Sequence, residues 1–246
     1  LSRDSASAPL NIQPIIDHLK PRDKNKPPTA YDLAIDNIVI RRSRLTYDVL
    51  SEPASDSGKI DFNHLELSDI KADVRLPRVS NDCYVADLRR LAATERSGLT
   101  LNSLSGQARV SDTLLTVDNL HIELPSSKLD FAPLRVAYAD WKALTSEITC
   151  HTFTLATLPG SHVTPSDLTA FFSPFAPFTS PIGVDFKIGG TVGKLTMPRL
   201  MLTSSDDVAA VEIENATVSG LPCVDCLRVE LPMLRAPADG HRLADL

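Results

Sequence analysis

An eight-residue spacing recurs along this chain: apolar-x-apolar-x-x-apolar-x-apolar, with the two central positions polar or proline. It reads Leu33-Ile35-Ile38-Ile40, Leu65-Leu67-Ile70-Ala72, Leu115-Val117-Leu120-Ile122, Leu195-Met197-Leu200-Leu202 and Val211-Ile213-Ala216-Val218. A weaker copy, Leu99-Leu101-Leu104-Gly106, loses its last apolar side chain to glycine. Period-two alternation is the signature of a strand with one buried face. A slip of one residue at the centre is what a β-bulge inserts, and it returns the second half-strand to the same face. The windows beginning at Leu65, Leu115 and Val211 meet the strict form, whereas a chain of 43% apolar residues would give roughly one by chance. Copies at 99 and 115, and at 195 and 211, stand 16 residues apart, one strand plus a turn. The pattern predicts a mostly β chain: a curved, largely antiparallel repetitive sheet of about a dozen or more strands with one apolar face. On that face fall Leu65, Leu67, Ile70, Leu115, Val117, Leu120, Ile122, Leu195, Leu200, Leu202, Val211 and Ile213. Glu66, Lys71, Asp118, Glu212 and Glu214 alternate outward into water.

Composition narrows the partner. Aromatic residues are 5% with a single tryptophan, Trp141, so the apolar content is aliphatic. A net charge of −6 and a pI near 5.5 argue against nucleic acid, which requires a positive field. Eighteen prolines against ten glycines imply interrupted strands and proline-blunted edges. No run of about 20 apolar residues is present for a membrane-spanning helix. The chain reads as a cut piece of something longer.

Along the chain, residues 1–30 divide from the rest. Ile12, Ile15, Ile16 and Leu19 have helical spacing, stopped by Pro21, and a basic linker with prolines follows to Pro28. Residues 31–246 form the repetitive β domain. Strands are expected at 31–47, 60–76, 84–91, 99–124, 129–138, 146–158 and over 182–235. Thr164-Pro165-Ser166-Asp167 has an N-cap, a proline at the first helical position and an acid three residues on, so a short helix is expected over 165–172, ended by Pro174.

Motifs that could carry chemistry reduce to structural readings. Cys223-Val-Asp-Cys226 lacks a second ligand pair for zinc and the βαβ context of a redox motif; it reads as a structural or incidental pair, open to a local disulfide. Gly189-Gly-Thr-Val-Gly193-Lys194 is one residue short of a phosphate loop, with Leu195 where a magnesium-binding hydroxyl must stand. The six histidines show no metalloprotease spacing, and no G-x-S-x-G is present. Asn215-Ala-Thr217 matches a glycosylation acceptor without further support. The reading is of a protein that is not an enzyme, with no catalytic, metal or cofactor residue assigned.

Several segments carry a family likeness. Asn11-Ile-Gln-Pro-Ile-Ile-Asp-His-Leu-Lys-Pro-Arg-Asp-Lys24, Leu33-x-Ile35-Asp36-Asn37-Ile38-x-Ile40 ending in Leu45-Thr-Tyr47, and Asp61-Phe-Asn-His-Leu65-x-Leu67-Ser-Asp-Ile70 resemble an interior segment of the TamB/AsmA-like proteins of Bacteroidetes. The best fingerprint is Leu91-x-x-x-Glu95-Arg96-Ser97-Gly98-Leu99-x-Leu101-x-x-Leu104, similar to that family's recurrent turn. The likeness spans roughly 11 to 235. It implies a protein anchored in the inner membrane and extended through the periplasm, forming a rolled β-taco open along one seam and lined with aliphatic side chains. It further implies a part in outer-membrane biogenesis, through phospholipid movement between membranes or insertion of outer-membrane proteins. The implied partners are phospholipid acyl chains, neighbouring repeats of the same chain and an outer-membrane barrel protein.

The residues suit lipid carriage on their own account, because each buried CH₂ of an acyl chain is worth about 0.8 kcal/mol and a continuous aliphatic lining supplies that along its length. Two rivals are an adhesin or glycan-binding β-repeat, which would display aromatic platforms, and a scaffold whose apolar face is closed against a second sheet. An open trough favours the first reading; a filled sandwich would favour the scaffold.

Overall fold

The computed structural model describes residues 1–5, 8–14, 32–54, 58–80, 82–140, 150–204, 209–220 and 228–235. Among the described residues fifteen strands make one sheet: β1 Ser2–Arg3, β2 Asp32–Val49, β3 His64–Ser80, β4 Cys83–Glu95, β5 Thr100–Ser111, β6 Leu114–Glu123, β7 Lys128–Asp130, β8 Leu134–Ala137, β9 Phe153–Ala156, β10 His162–Val163, β11 Ile182–Thr191, β12 Lys194–Thr203, β13 Ala209–Ser219, β14 Arg228–Glu230 and β15 Met233–Arg235. Every pairing among these described strands is antiparallel except β1 with β2. Strands β2 to β6 follow one another as a meander, and β11 to β13 form a second. Two rows of short strands bridge them. The first half of β6 joins β8, then β9, then β11; its second half joins β7, then β10, then β11.

The expected slip is present as a backbone conformation. In all three strict copies the second central residue lies in the left-handed region: Asp69 at φ 49°, Asn119 at 53° and Asn215 at 56°. Asp and Asn are the L-residues that tolerate it best. Register records the extra residue. On β3, Ser68 pairs Thr94 and Lys71 pairs Ala92, three residues against two; on β6, Asp118 pairs Gln107 and His121 pairs Ser105, again three against two. Strands β12 and β13 slip together, with Pro198 opposite Asn215 and neither paired, so their mutual register is constant across the interruption. Pro198 and Pro77 both lie at such irregularities, where a missing N–H removes no ladder bond.

Elements differ from expectation around 129–178. The run 129–138 is two strands, because the sheet breaks at Phe131, whose N–H donates to the Leu120 carbonyl while Phe131 bridges Thr157. The expected helix over 165–172 is only a 3-10 turn, Pro165–Leu168, and Pro174 opens a second, Ser173–Phe175. Thr164 is spent elsewhere: its hydroxyl donates to the Ser126 carbonyl at 2.7 Å, so no side chain caps the turn. Asp167 likewise accepts from the Ser126 backbone N–H and the Ser127 hydroxyl, at 2.8 and 2.6 Å. No helix of 7 or more residues occurs among the described residues. The helix expected over 12–19 falls beyond residue 14 outside them, as do Trp141, Cys223 and Cys226. Of the strand expected at 146–158, β9 is the described part.

Packing follows from the single layer. Among the described residues eight apolar side chains are buried: Val49, Ala72, Cys83, Ala92, Phe131, Tyr138, Ala170 and Ala216. None is leucine, isoleucine or methionine. In a two-layer sandwich those residues fill the middle; here they line a face.

Candidate functional site: an apolar trough

Residues directly opposite in a sheet share a face, so the register carries the apolar row from strand to strand. Leu65 pairs Tyr47, and Leu67 pairs both Leu45 and Glu95. Ala72 pairs Leu91, Leu91 pairs Leu104, and Leu104 pairs Ile122. Leu115 pairs Val110 and Val136, Val136 pairs Phe153, Phe153 pairs Gly190, and Gly190 pairs Leu195. Leu200 pairs Phe186 and Ile213, and Leu202 pairs Val184 and Val211. Ile70 pairs Ser43, and Val117 pairs Ala108 and Leu134. The chain of pairs places these side chains on one face, and Leu120 lines a concavity with Val117. Along this face Glu66 pairs Thr46 and Asp118 pairs Gln107 on the opposite side, where Glu212 and Glu214 also stand, ion-paired to Arg199 and Arg235.

The face is concave. Leu45, Leu67, Ile70, Leu91, Ala93, Glu95, Leu99 and Leu101, from β2 to β5, surround a hollow of about 370 Å³. Ala86, Leu88, Leu104, Ser105, Gly106, Ala108, Val117 and Leu120 surround its neighbour of about 130 Å³. Leu91 of the first hollow pairs Leu104 of the second, so the two are contiguous. The Ile60 N–H donates to the Ala170 carbonyl at 2.8 Å. That bond joins the lead-in of β3 to the segment after β10, five places away in the strand order, which requires the sheet to bend round at this end. A trough results, with 3-10 turns at its rim.

Gly106 stands opposite the β6 bulge: a Cβ there would lie 3.4 Å from Leu120 Cα and 3.5 Å from the Asp118 carbonyl, ordinary contacts that leave room for a methyl group. Glu95 is the residue the apolar pattern passed over. It alternates inward after Leu91 and Ala93, is 5% exposed, and lines the larger hollow. Its carboxylate accepts from the Ser97 backbone N–H at 2.7 Å and from the Ser97 hydroxyl. Gly98, at φ 97°, closes the same turn by donating to the Glu95 carbonyl at 2.9 Å. The fingerprint turn is therefore a hairpin whose carboxylate is folded under it, at the end of the trough.

Other candidates resolve into structure. Gly189–Lys194 is the β11–β12 hairpin, with Val192 and Gly193 at its turn. Cys83 and Cys150 are free thiols, one buried and one exposed. On the outer face His121 Nδ1 lies 2.7 Å from Asp130 Oδ1. Burial would raise the Asp130 carboxyl, but the His121 hydrogen bond and the charges of His121 and Lys128 outweigh it and hold the group below the usual carboxylate range. Among the described residues no group of three His, Cys, Asp or Glu is placed to hold a metal ion, and no helix is long and apolar enough to cross a membrane.

No protein-family model, curated protein or solved structure matches the chain.

Proposed function

We propose that this chain is a lipid-bearing trough: a periplasmic segment of an inner-membrane-anchored TamB/AsmA-like protein that gives phospholipid acyl chains an apolar path between membranes. The observation that carries the reading is the state of the aliphatic residues. No leucine or isoleucine among the described residues is fully buried, yet those of the repeats stand in rows on one concave face. Exposed aliphatic surface on this scale marks a site that something covers. A mobile acyl chain fits a lining with little aromatic shape and no built polar pocket, so the mechanism is passive conduction without chemistry. At β2 the row Leu33, Ile35, Ile38 and Ile40 is 37–55% exposed, and on its edge away from β3 β2 has no strand partner from Asp32 to Tyr47 among the described residues. A neighbouring repeat added there would lengthen the trough.

The test places a charge in the lining, as Leu120→Asp or Leu200→Lys. Both positions are half-buried, so the folded chain should survive, whereas an unpaired charge in a closed core costs several kcal/mol. The expected result is a retained thermal melt, loss of lipid co-purifying with the protein by mass spectrometry, and weakened outer-membrane integrity in cells carrying the full-length variant. A collapsed melt would favour the closed scaffold. A retained fold with intact lipid content and membrane integrity would remove the conduit.

A further inference from the structure

The face opposite the trough carries a second feature. Much of it is tied by cross-strand ion pairs, Arg44 with Glu66, Arg75 with Asp36, Arg78 with Asp32 and Arg89 with Asp73, and Arg78 also meets Asp82 in the β3–β4 turn. At the middle of β2 and β3 this arrangement breaks. Val39, Arg41, Arg42, Lys71, Asp73 and Arg90, together with Ile40 and Ala72 of the trough row, line a hollow of about 260 Å³. The register sets it on the outer side, since Val39 pairs Asp73 and Asp73 pairs Arg90, one residue out of step with the trough pair Ala72 and Leu91. Arg41, Arg42 and Lys71 are exposed and make no hydrogen bond or ion pair with any described residue. Arg90 donates to the Asn102 carbonyl at 3.2 Å. The one acid in the lining, Asp73, is drawn aside by Arg89 at 3.8 Å.

Backbone strain falls on the same spot. Of the four described non-glycine residues in the left-handed region, three are Asp or Asn at the repeat bulges; the fourth is Arg42, at φ 54°. Arginine gains nothing locally from that conformation. The bulge is real in the register, since Ile40 pairs Ala72 and Ser43 pairs Ile70, three residues against two. Bulges re-aim side chains, and strained residues kept in place are a mark of functional positions. Arg41, Arg42 and Lys71, like charges gathered with no ion pair to a described residue, add a second cost.

We infer that this hollow binds a phosphate oxyanion, held by Arg41, Arg42, Lys71 and Arg90. Guanidinium forks match phosphate oxygens in pairs, and Lys71 supplies a point charge beside them. Val39, 46% exposed, offers apolar contact to whatever the phosphate is esterified to. A lipid headgroup and a free phosphate present the same chemistry. The charged groups of the site lie on the other face from the trough, and the site stands or falls apart from lipid conduction.

The experiment uses the chain with two probes: flotation with phosphatidylcholine vesicles with and without phosphatidylglycerol, and titration with inorganic pyrophosphate followed by amide NMR shifts. Arg42→Asn suits the left-handed backbone and removes the charge, so its melt should equal or exceed that of the unsubstituted chain. Lys71→Gln is the second variant, and Arg109→Gln, on the outer face of β5, removes one charge elsewhere. Arg42→Asn should weaken binding by about tenfold, the scale of one lost charge-assisted bond, and Arg109→Gln should leave it unchanged. Binding of phosphatidylglycerol vesicles lost in both site variants assigns a headgroup. Pyrophosphate shifts confined to residues 39–42, 71–73 and 90, without vesicle binding, assign a free phosphate. No binding of either probe overturns the site. So does equal weakening by Arg109→Gln, which would reduce the effect to bulk charge.

Discussion

Replacing Asn119 by valine tests what keeps the lining on one face. The residue is exposed and its side chain makes no hydrogen bond with a described residue, so the substitution removes a backbone preference and little else. At φ 53° an ordinary L-residue is disfavoured by roughly 1–2 kcal/mol; asparagine is partly exempt and a β-branched side chain is not. Asn119→Val should therefore destabilise by about 1–2 kcal/mol, which in a chain of this size lowers Tm by about 2–8 °C. Asn119→Gly should stay within about 0.5 kcal/mol, because glycine enters the left-handed region freely but loosens the unfolded chain. Beyond the bulge, Leu120 and Ile122 depend on it. Without the extra residue they turn to solvent and His121 and Glu123 turn into the trough. Each half-buried side chain would then forfeit about 1 kcal/mol, half the value for full burial. The assay is thermal and urea denaturation followed by circular dichroism on the three proteins. Equal stability of the valine and asparagine forms, or glycine as harmful as valine, would refute the assignment of the slip to a left-handed bulge.

His64 gives a pH dependence: its ring donates to Asp48 Oδ1 at 3.3 Å and to the Glu52 carbonyl at 2.9 Å, and its pKa is raised, first by the Asp48 hydrogen bond. Protonation then favours the folded state, a contribution complete below the unfolded histidine value of about 6.5 and lost as pH rises through the higher folded value. An NMR titration of the His64 ring should show that elevation, and Asp48→Asn should abolish it; a folded value at or below the ordinary one contradicts the assignment. The two inward glycines should respond in opposite directions. Gly190→Ala places a Cβ 2.3 Å from the Lys194 carbonyl at φ 126° and should destabilise by more than about 2 kcal/mol, whereas Gly106→Ala meets only ordinary contacts and should gain about 0.5 kcal/mol in urea denaturation.

The strand pattern was legible because its cause is local. A period of two with a slip of one requires a bulged strand with a single apolar face, and an Asp or Asn at the second central position in the strict copies is the residue type that a left-handed bulge accepts best. The same locality misled at 164–172. Thr164, Pro165 and Asp167 make a good helix start, but the side chains of Thr164 and Asp167 serve the β6–β7 turn about forty residues away, and no local rule contains that partner. Glu95 was missed as a lining residue for a related reason, since a carboxylate at an inward position reads as a turn residue until Ser97 is seen to hold it there. The Arg41–Arg42 bulge also escaped, because it lies outside the repeats and only pairing with β3 brings Lys71 and Arg90 beside it.

What the sequence determined by itself is the two-faced strand, its bulges and the aliphatic character of one face, all set by neighbours one to four residues apart. Whether that face would be closed by a second layer or left as an open trough was decided only in the tertiary structure. Both outcomes use the same alternation and the same side chains. They differ in strand order and curvature, and those follow from contacts such as Ile60 with Ala170 that join residues more than a hundred positions apart, beyond the reach of any local pattern.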